Sequence, residues 1–291
     1  MSINGFSIII PAHNESSGIE RTLHSILACK LDRVLQIIVV ANGCTDDTAA
    51  RARAVPGPIT VIETAIGNKV HALNLGDREA LYFPRAYLDA DILLTENALE
   101  GVANAFNDPN CRIAAPTPRH RYHGWNPFLA GYYQLWRSLP YVRGAIMGSG
   151  FYAIDAQTRS RFTEFPSITA DDKFVRNVTK PEERRVVPGC FATVSMPATF
   201  SDLLKVKTRW TYGNLELAAT HPQLAEGDKS HHDGALRYLL LRPWLWPHIP
   251  AFLFVYRYAH RAAQKRFAAK AGGWERDNST RPLAHETRPA A

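Results

Sequence analysis

Cysteine is scarce. The chain has four in 291 residues, Cys29, Cys44, Cys111 and Cys190, and no two form a Cys-x-x-Cys pair. This spacing argues against a disulfide framework and against a thiolate zinc site, and it suits a reducing compartment. Long apolar runs are also missing. The earliest, Phe6 to Ile10, is cut by Pro11 and has no basic region before it, so no secretory leader is expected. The longest later one, Leu236 to Tyr256, is interrupted by Arg237, Arg242 and His248 and by Pro243, Pro247 and Pro250. A spanning helix needs about 20 clean residues, and none is available. The C-terminal fifth has few acids. From Ala235 to Ala291 there are ten Lys/Arg and three Asp/Glu, an excess of +7 that equals the net charge of the whole chain. The rest is neutral overall. A basic end implies either a solvated helix face or an anionic partner, membrane or nucleic acid.

What is present points to an α/β domain. A hydrophobic content of 46% supports a sizeable core, and the length fits one large domain or one with an appendage. Short apolar runs at Phe6–Ile10, Gln36–Val40, Ile59–Ile62 and just before Asp89 predict buried strands. Segments of helical spacing separate them, such as Ile19, Leu23, Ile26 and Leu27. This alternation predicts a parallel sheet with helices on both faces. The loops after the strands, Pro11 to Glu15, Asn42 to Asp47 and Asp89 to Asp91, should share its carboxyl edge, where open α/β sheets bind ligands. There Asp89-Ala90-Asp91 offers two hard oxygen donors one residue apart, suited to Mg²⁺ or Mn²⁺ bridging a diphosphate. The plain alternative for that string is an Asp-rich turn.

Four strings in order resemble the family 2 glycosyltransferases. Ser7 to Glu15 resembles the family's Pro-x-Tyr-Asn-Glu opening, with His13 where Tyr is usual. Val39 to Asp46 resembles the Asp-Asp-Gly-Ser-Thr-Asp loop, with Ala41-Asn42 in place of the Asp pair. Gly67 to Asn74 resembles the Gly-Lys-x-x-Ala-Leu-Asn segment, and Asp89-Ala90-Asp91 matches the Asp-x-Asp. The resemblance covers roughly residues 6 to 215. It implies a GT-A fold, a Rossmann-like, mostly parallel sheet flanked by helices, with a nucleotide-sugar-binding half over 1–105 and an acceptor half over 106–215. It further implies that Pro11, His13, Glu15, Asn42, Lys69, Asp89, Ala90 and Asp91 line the donor pocket, and that Asp91 and Asp89 hold the metal. Asn42 offers both a donor and an acceptor to a base.

The second half carries weaker strings. Residues 112 to 116 predict a strand, and the aromatic-rich stretch from Tyr122 to Val142 a helix, its rings more often core than platforms for sugar. Gly148 opens a glycine-rich turn into a strand that resembles the family's acceptor-site turn. Thr169 to Val175 resembles the family's Glu-Asp motif, with Asp171 and Asp172 as the pair and Asp172 as the implied catalytic base. An acceptor hydroxyl must lose its proton as it attacks the anomeric carbon, and a carboxylate beside an apolar wall suits that task. Otherwise the pair simply starts a helix. Lys205 to Trp210 resembles the Gln-x-x-Arg-Trp signature, with Val206 where Gln stands. Arg209 is thereby implied on the diphosphate and Trp210 over the acceptor. The signature is typical of processive polysaccharide synthases, and the missing Gln and the lack of long spans weaken that implication here.

Residues 216–272 read as a helical, basic appendage. After Pro250, Phe252, Tyr256, Ala259, Ala263 and Phe267 share one side of a predicted helix, and Arg257, Arg261 and Lys265 another. It either lies on an anionic membrane or packs on the catalytic domain through Leu239, Trp244, Leu245 and Phe252. Gly272-Gly273 ends it, and residues 273–291 are expected to be disordered. The expected activity is inverting, metal-assisted sugar transfer. The donor would be a nucleotide-diphospho-sugar, and the acceptor a hydroxyl on a cell-surface glycan or glycolipid, lipid-linked carriers included. The expected place is the cytoplasm or the inner face of its membrane. A nucleotidyltransferase on a similar sheet is disfavoured, because no Arg-bearing glycine-rich loop follows Ile10. A nucleic-acid-binding module rests on the basic tail alone, and no nucleic-acid partner is expected. A dead GT-A domain is disfavoured because Asp91 and Asp172 are both present.

Overall fold

The computed structural model describes residues 5–122, 126–139, 142, 146, 148–225 and 235–269. The apolar run after the N-terminus forms β1 (Gly5–Ala12), and all eight of its residues are buried. Such a strand sits inside a parallel sheet covered on both faces, and its continuous apolar sequence follows from that. Its neighbours are β2 (Val34–Asn42), reached through α1 (Ile19–Leu27), and β4 (Arg85–Leu88), both parallel to it. α2 (Thr48–Ala54) leads to β3 (Ile59–Thr64), which extends the sheet beyond β2, and α3 (Lys69–Glu79) returns the chain to β4.

Side chains alternate across the strands. Phe6, Ile8 and Ile10 enter one layer with Leu23 and Ile26 of α1 and with Leu99 and Val102 of α4 (Ala98–Ala105). Ile9, Ile38 and Val40 enter the opposite layer with Val70 and Leu73 of α3 and Phe174 of α7 (Asp171–Asn177). The chain turns from one side of β1 to the other between β3 and β4. This reversal opens a crevice at the carboxyl ends of β1 and β4.

The eight strands run in the order β3-β2-β1-β4-β7-β6-β8-β5. The added ones are β5 (Leu93–Leu94), β6 (Ile113–Arg121), β7 (Phe151–Ile154) and β8 (Arg184–Ser195). β7 runs antiparallel to both β4 and β6, β5 antiparallel to β8, and β6 parallel to β8, so the sheet is mostly parallel but mixed. β6 is longer than the sequence implies. It continues through Pro116 and Pro118, and its register with β8 shifts between Pro116 and Thr117. Such an irregularity lets a strand keep residues that cannot donate to a regular ladder.

The aromatic-rich stretch gives α5 (Pro127–Ser138), capped by Asn126. The flanking positions 123–125 and 140–141 of that predicted helix lie outside the described residues. After the short α6 (Ala156–Arg159), α8 (Phe200–Thr220) is the longest helix described. α9 (Pro222–Ala225) and α10 (Ala235–Leu240) follow, then a 3₁₀ segment over Pro243–His248 and α11 (Ile249–Ala268). α11 buries Val255, Ala259 and Ala263 at i, i+4 steps. It shares an apolar layer with Leu129, Tyr132 and Trp136 of α5 and Leu203 of α8. Tyr256 and Phe267, grouped with Ala259 and Ala263 on one side of the predicted helix, stay exposed, and Val255 is buried instead.

Leu245 is 3% exposed and, with Leu239, packs on Leu135 and Leu139, whereas Trp244 is 63% exposed. Leu239 and Leu245 thus pack on the domain, as the second reading expects, whereas Trp244, expected with them, does not. No helix among the described residues is long and apolar enough to cross a membrane. The expected helix break at Gly272-Gly273 and the expected disordered tail lie outside the described residues.

Candidate active site

A cleft of about 1060 Å³ lies over the crevice. Its walls include Pro11, His13, Glu15, Asn42, Lys69, Asp89, Ala90 and Asp91 on one side, and Gly148, Asp171, Asp172, Arg209 and Trp210 on the other. The fold thus brings residues from seven separate segments, strand ends, loops and helices, into one concavity.

On the first side, two loops are strapped together by short polar residues. Asn14 adopts a left-handed backbone (φ 51°), which Asn tolerates better than most residues, and its Oδ1 accepts from the Thr45 N–H at 2.7 Å. The Glu15 N–H donates to Thr48 Oγ1 at 2.7 Å, and the Glu15 carbonyl accepts from the N–H groups of Gly18 and Ile19, which starts α1. His13 Nδ1 lies 2.6 Å from the Asn42 carbonyl oxygen. Asn42 is only 3% exposed, and its Nδ2 donates to the carbonyls of Ala12 (2.8 Å) and Val40 (3.3 Å). The amide nitrogen is therefore committed to the sheet, and the oxygen is the atom left for a ligand.

The two sides meet at Lys69. Its Nζ lies 2.8 Å from Asp89 Oδ1 and 3.1 Å from Asp171 Oδ1. Burial alone would favour the neutral amine, but the carboxylates of Asp171 and Asp89 outweigh it and hold Lys69 protonated well above the usual lysine range. Asp171 also accepts from the Tyr152 hydroxyl at 3.4 Å. The Asp89 N–H donates to the Gly150 carbonyl at 2.8 Å. Gly150 has φ +62°, and a Cβ there would lie 2.6 Å from Ile92 and 3.3 Å from Asp89 Oδ2, so the turn into β7 needs glycine to back against Asp89.

Asp172 follows on α7, with the Lys173 N–H donating to its Oδ1 at 2.7 Å. Burial, then the charge of Asp171, push its carboxyl up to about 6, and Lys69 opposes them. A carboxylate in that range is ionised at neutral pH yet basic enough to receive a proton.

The sequence reading missed Lys207 of α8, which lies between the rings of Trp136 and Trp210, with Nζ 4.1 and 3.9 Å from their centroids. Burial pushes its amine down to about 7. Its i, i+3 spacing to Trp210 was visible, but the partner Trp136 comes from α5 and appears only in the fold.

Among the described residues no three His, Cys, Asp or Glu side chains are placed to hold an ion together. Two carboxylates at the cleft edge, Asp89 and Asp91, do not make a zinc-type cage. They fit Mg²⁺ or Mn²⁺, which take one or two protein carboxylates and complete their shell with phosphate and water.

Residues 7–164 match the family model described as glycosyl transferase family 2. The chain is 35% identical over 105 residues to 4,4'-diaponeurosporenoate glycosyltransferase of Staphylococcus aureus, covering 34% of this chain and 28% of that protein. It is 29% identical over 123 residues to poly-beta-1,6-N-acetyl-D-glucosamine synthase of the same species, covering 41% of this chain and 30% of the other. The matches thus span less than a third of the length of these curated relatives. Among solved structures, the mannosyltransferase PcManGT of Pyrobaculum calidifontis, in complex with GDP-Man and Mn²⁺, aligns with a TM-score of 0.57 at 23% identity, over 94% of this chain and 77% of that one. TarS 1–349 of S. aureus, in complex with UDP, aligns with a TM-score of 0.50 at 16% identity, over 89% and 91%. These likenesses show the same fold.

Proposed function

The chain belongs to glycosyl transferase family 2, and we propose that it is a glycosyltransferase that moves a sugar from a nucleotide-diphospho-sugar to an acceptor hydroxyl, inverting the anomeric carbon. The observation that carries this reading is the pairing, across one cleft, of the Asp89-Ala90-Asp91 corner with Asp172, a carboxyl held near 6. In this reading the nucleotide lies along Pro11, His13 and Glu15. Asn42 presents its oxygen to a ring N–H, which uracil and guanine both offer. A bound Mn²⁺ or Mg²⁺, held by Asp91 with Asp89, would neutralise the departing diphosphate. Arg209 pairs with the same phosphates, for which a guanidinium fork is suited. Trp210 covers the acceptor and Gly148 shapes its turn. Asp172 takes the hydroxyl proton during a single in-line displacement. Lys69 fixes Asp89 and Asp171 relative to one another and adds a positive charge beside the phosphates.

A thermal-shift screen of nucleoside diphosphates with Mn²⁺ tests the donor half, since a ligand that binds only the folded state raises its melting temperature. NMR of the product tests the chemistry. Retained anomeric configuration overturns the mechanism.

We also infer that the chain works at the inner face of a cell membrane, on a membrane-proximal or lipid-linked acceptor. Nine of the fifteen exposed large hydrophobic residues among those described fall between Leu240 and Phe267, including Trp244, Trp246 and Phe254. Between 235 and 269 there are six Lys/Arg and no Asp or Glu. Each basic residue near an anionic surface contributes about 1 kcal/mol, and exposed Trp suits the headgroup layer. Co-sedimentation with anionic vesicles that weakens with salt and in Trp244→Ser/Trp246→Ser supports the inference. Indifference of the native chain to such vesicles removes it.

A further inference from the structure

We propose that the acceptor carries an oxyanion, a phosphate or a carboxylate, and that Lys207 is the residue that binds it. The proposal rests on reading the cleft as a sugar-transfer site, and it names a class of acceptor for that site.

The geometry around Lys207 is incomplete without a ligand. Its ammonium is held by the faces of Trp136 and Trp210, with Tyr132 further off at 5.8 Å. Aromatic faces attract a cation but accept none of its three hydrogen bonds in the way an oxygen does. The other lysines nearby are provided for. Lys69 has two carboxylates, Lys173 donates to Asn214 Oδ1 at 3.0 Å, and Lys205 on the same helix reaches Asp202 at 3.0 Å. Among the described residues Lys207 has no oxygen partner, and no carboxylate offsets its burial, which is why its amine is pushed down to about 7. An entering oxyanion supplies both the missing acceptor and the missing charge, and a charge-assisted hydrogen bond there is stronger than a neutral one.

The neighbours add no negative charge. His120 lies against Trp136 at 5.3 Å between ring centroids and is pushed down by burial and then by the charges of Lys207 and Arg137. α8 adds Arg209 to the cleft wall, and α11 adds Tyr256 and His260. No acid is contributed by α5, which supplies Tyr132 and Trp136, or by α11, which packs on α5 and α8. A neutral sugar hydroxyl does not need this arrangement. An anionic group beside that hydroxyl does, and with Lys207 as its anchor the group would fix which hydroxyl faces Asp172.

The test uses the full chain with its donor site filled by a nucleoside diphosphate and Mn²⁺, and two soluble probes, glycerol 3-phosphate and glucuronate. Lysine ¹³Cε NMR follows Lys207, assigned by the signal that Lys207→Met removes. The expected result is an amine midpoint near 7 that either anion moves upward and glycerol does not. Glucuronate keeps constant charge across this range, so its affinity should fall about tenfold between about pH 6 and pH 8 as the ammonium is lost. Lys207→Arg should keep binding and lose that pH dependence, because a guanidinium does not titrate there. Lys207→Met should lose anion binding while keeping the nucleotide-induced thermal shift. A Lys207 signal indifferent to both anions at tens of millimolar overturns the proposal, and so does undiminished binding by Lys207→Met. Absence of any nucleotide shift in the native protein strikes the sugar-transfer reading instead, and the NMR titration registers that separately.

Discussion

If Asp172 is the general base, its ionisation sets the acidic limb of the pH–rate profile, and its neighbours set where that limb lies. The carboxyl stands at about 6 through burial and the charge of Asp171, opposed by Lys69. One pH unit below that midpoint about a tenth of the base is ionised, so kcat/KM should fall to about a tenth of its plateau. Two substitutions move the limb in opposite directions. Asp171→Asn removes a like charge from the adjacent residue. At an effective dielectric near 20 that interaction is on the order of 1–2 kcal/mol, or about one pH unit. The limb should fall toward about 5. Lys69→Met removes the opposing positive charge, so the limb should rise above 6.

The assay is nucleoside diphosphate released per unit time, at one fixed Mn²⁺ concentration for all variants. Limbs that stay together, or that move in the same direction, refute the assignment of Asp172. Stability gives an independent reading. A carboxyl whose folded value is raised binds its proton more tightly in the folded state. The resulting stabilisation is full below about 4 and is lost as pH rises through about 6. Asp172→Asn should therefore melt higher than the native chain at neutral pH while losing about 10² to 10⁴ in turnover.

Three further outcomes follow from the geometry. Asp91→Asn should abolish the Mn²⁺ dependence of nucleotide binding, and calorimetry with and without the ion reads this directly. Gly150→Ala must place a methyl against Ile92 and Asp89 on a left-handed backbone, so it should lower both melting temperature and donor affinity; unchanged nucleotide binding would separate that turn from the Asp89 corner. Leu245→Ala should cost about 2–5 kcal/mol in urea unfolding, as buried Leu→Ala changes do, while Trp244→Ser should cost little because that ring is mostly exposed.

The first half of the sheet was legible because β1, β2 and β4 are covered on both faces, which forces continuous apolar runs that end where the functional loops begin. β8 was hidden by Pro188 and Gly189 in its middle, and the end of β6 by Pro116 and Pro118. The ladder between them accommodates these with a register shift that no local pattern announces. α8 was read only as a motif at Lys205 to Trp210, since its 21 residues mix cleft-facing, packed and solvated positions with little periodicity. On α11 the periodicity was read correctly at Ala259 and Ala263. The inward partner one turn earlier is Val255 and not Tyr256, whose exposed ring lines the cleft.

Lys69 and Lys207 show where sequence reading stops and why. From the resemblance of Gly67 to Asn74, Lys69 reads as one more residue lining the donor pocket. In the fold it joins Asp89 to Asp171, residues more than eighty positions apart, so the Asp89 corner and the helix that carries Asp172 are held by one ammonium. Removing that charge loosens both ends together, and leaves Asp171 buried without its ion partner. Lys207 is the converse case. Its two indoles come from α5 and α8, and its missing partner comes from no part of the described chain. One cationic side chain is doubly satisfied and the other unsatisfied in the same cleft. That contrast assigns the first to holding the machinery in place and the second to recognising what enters.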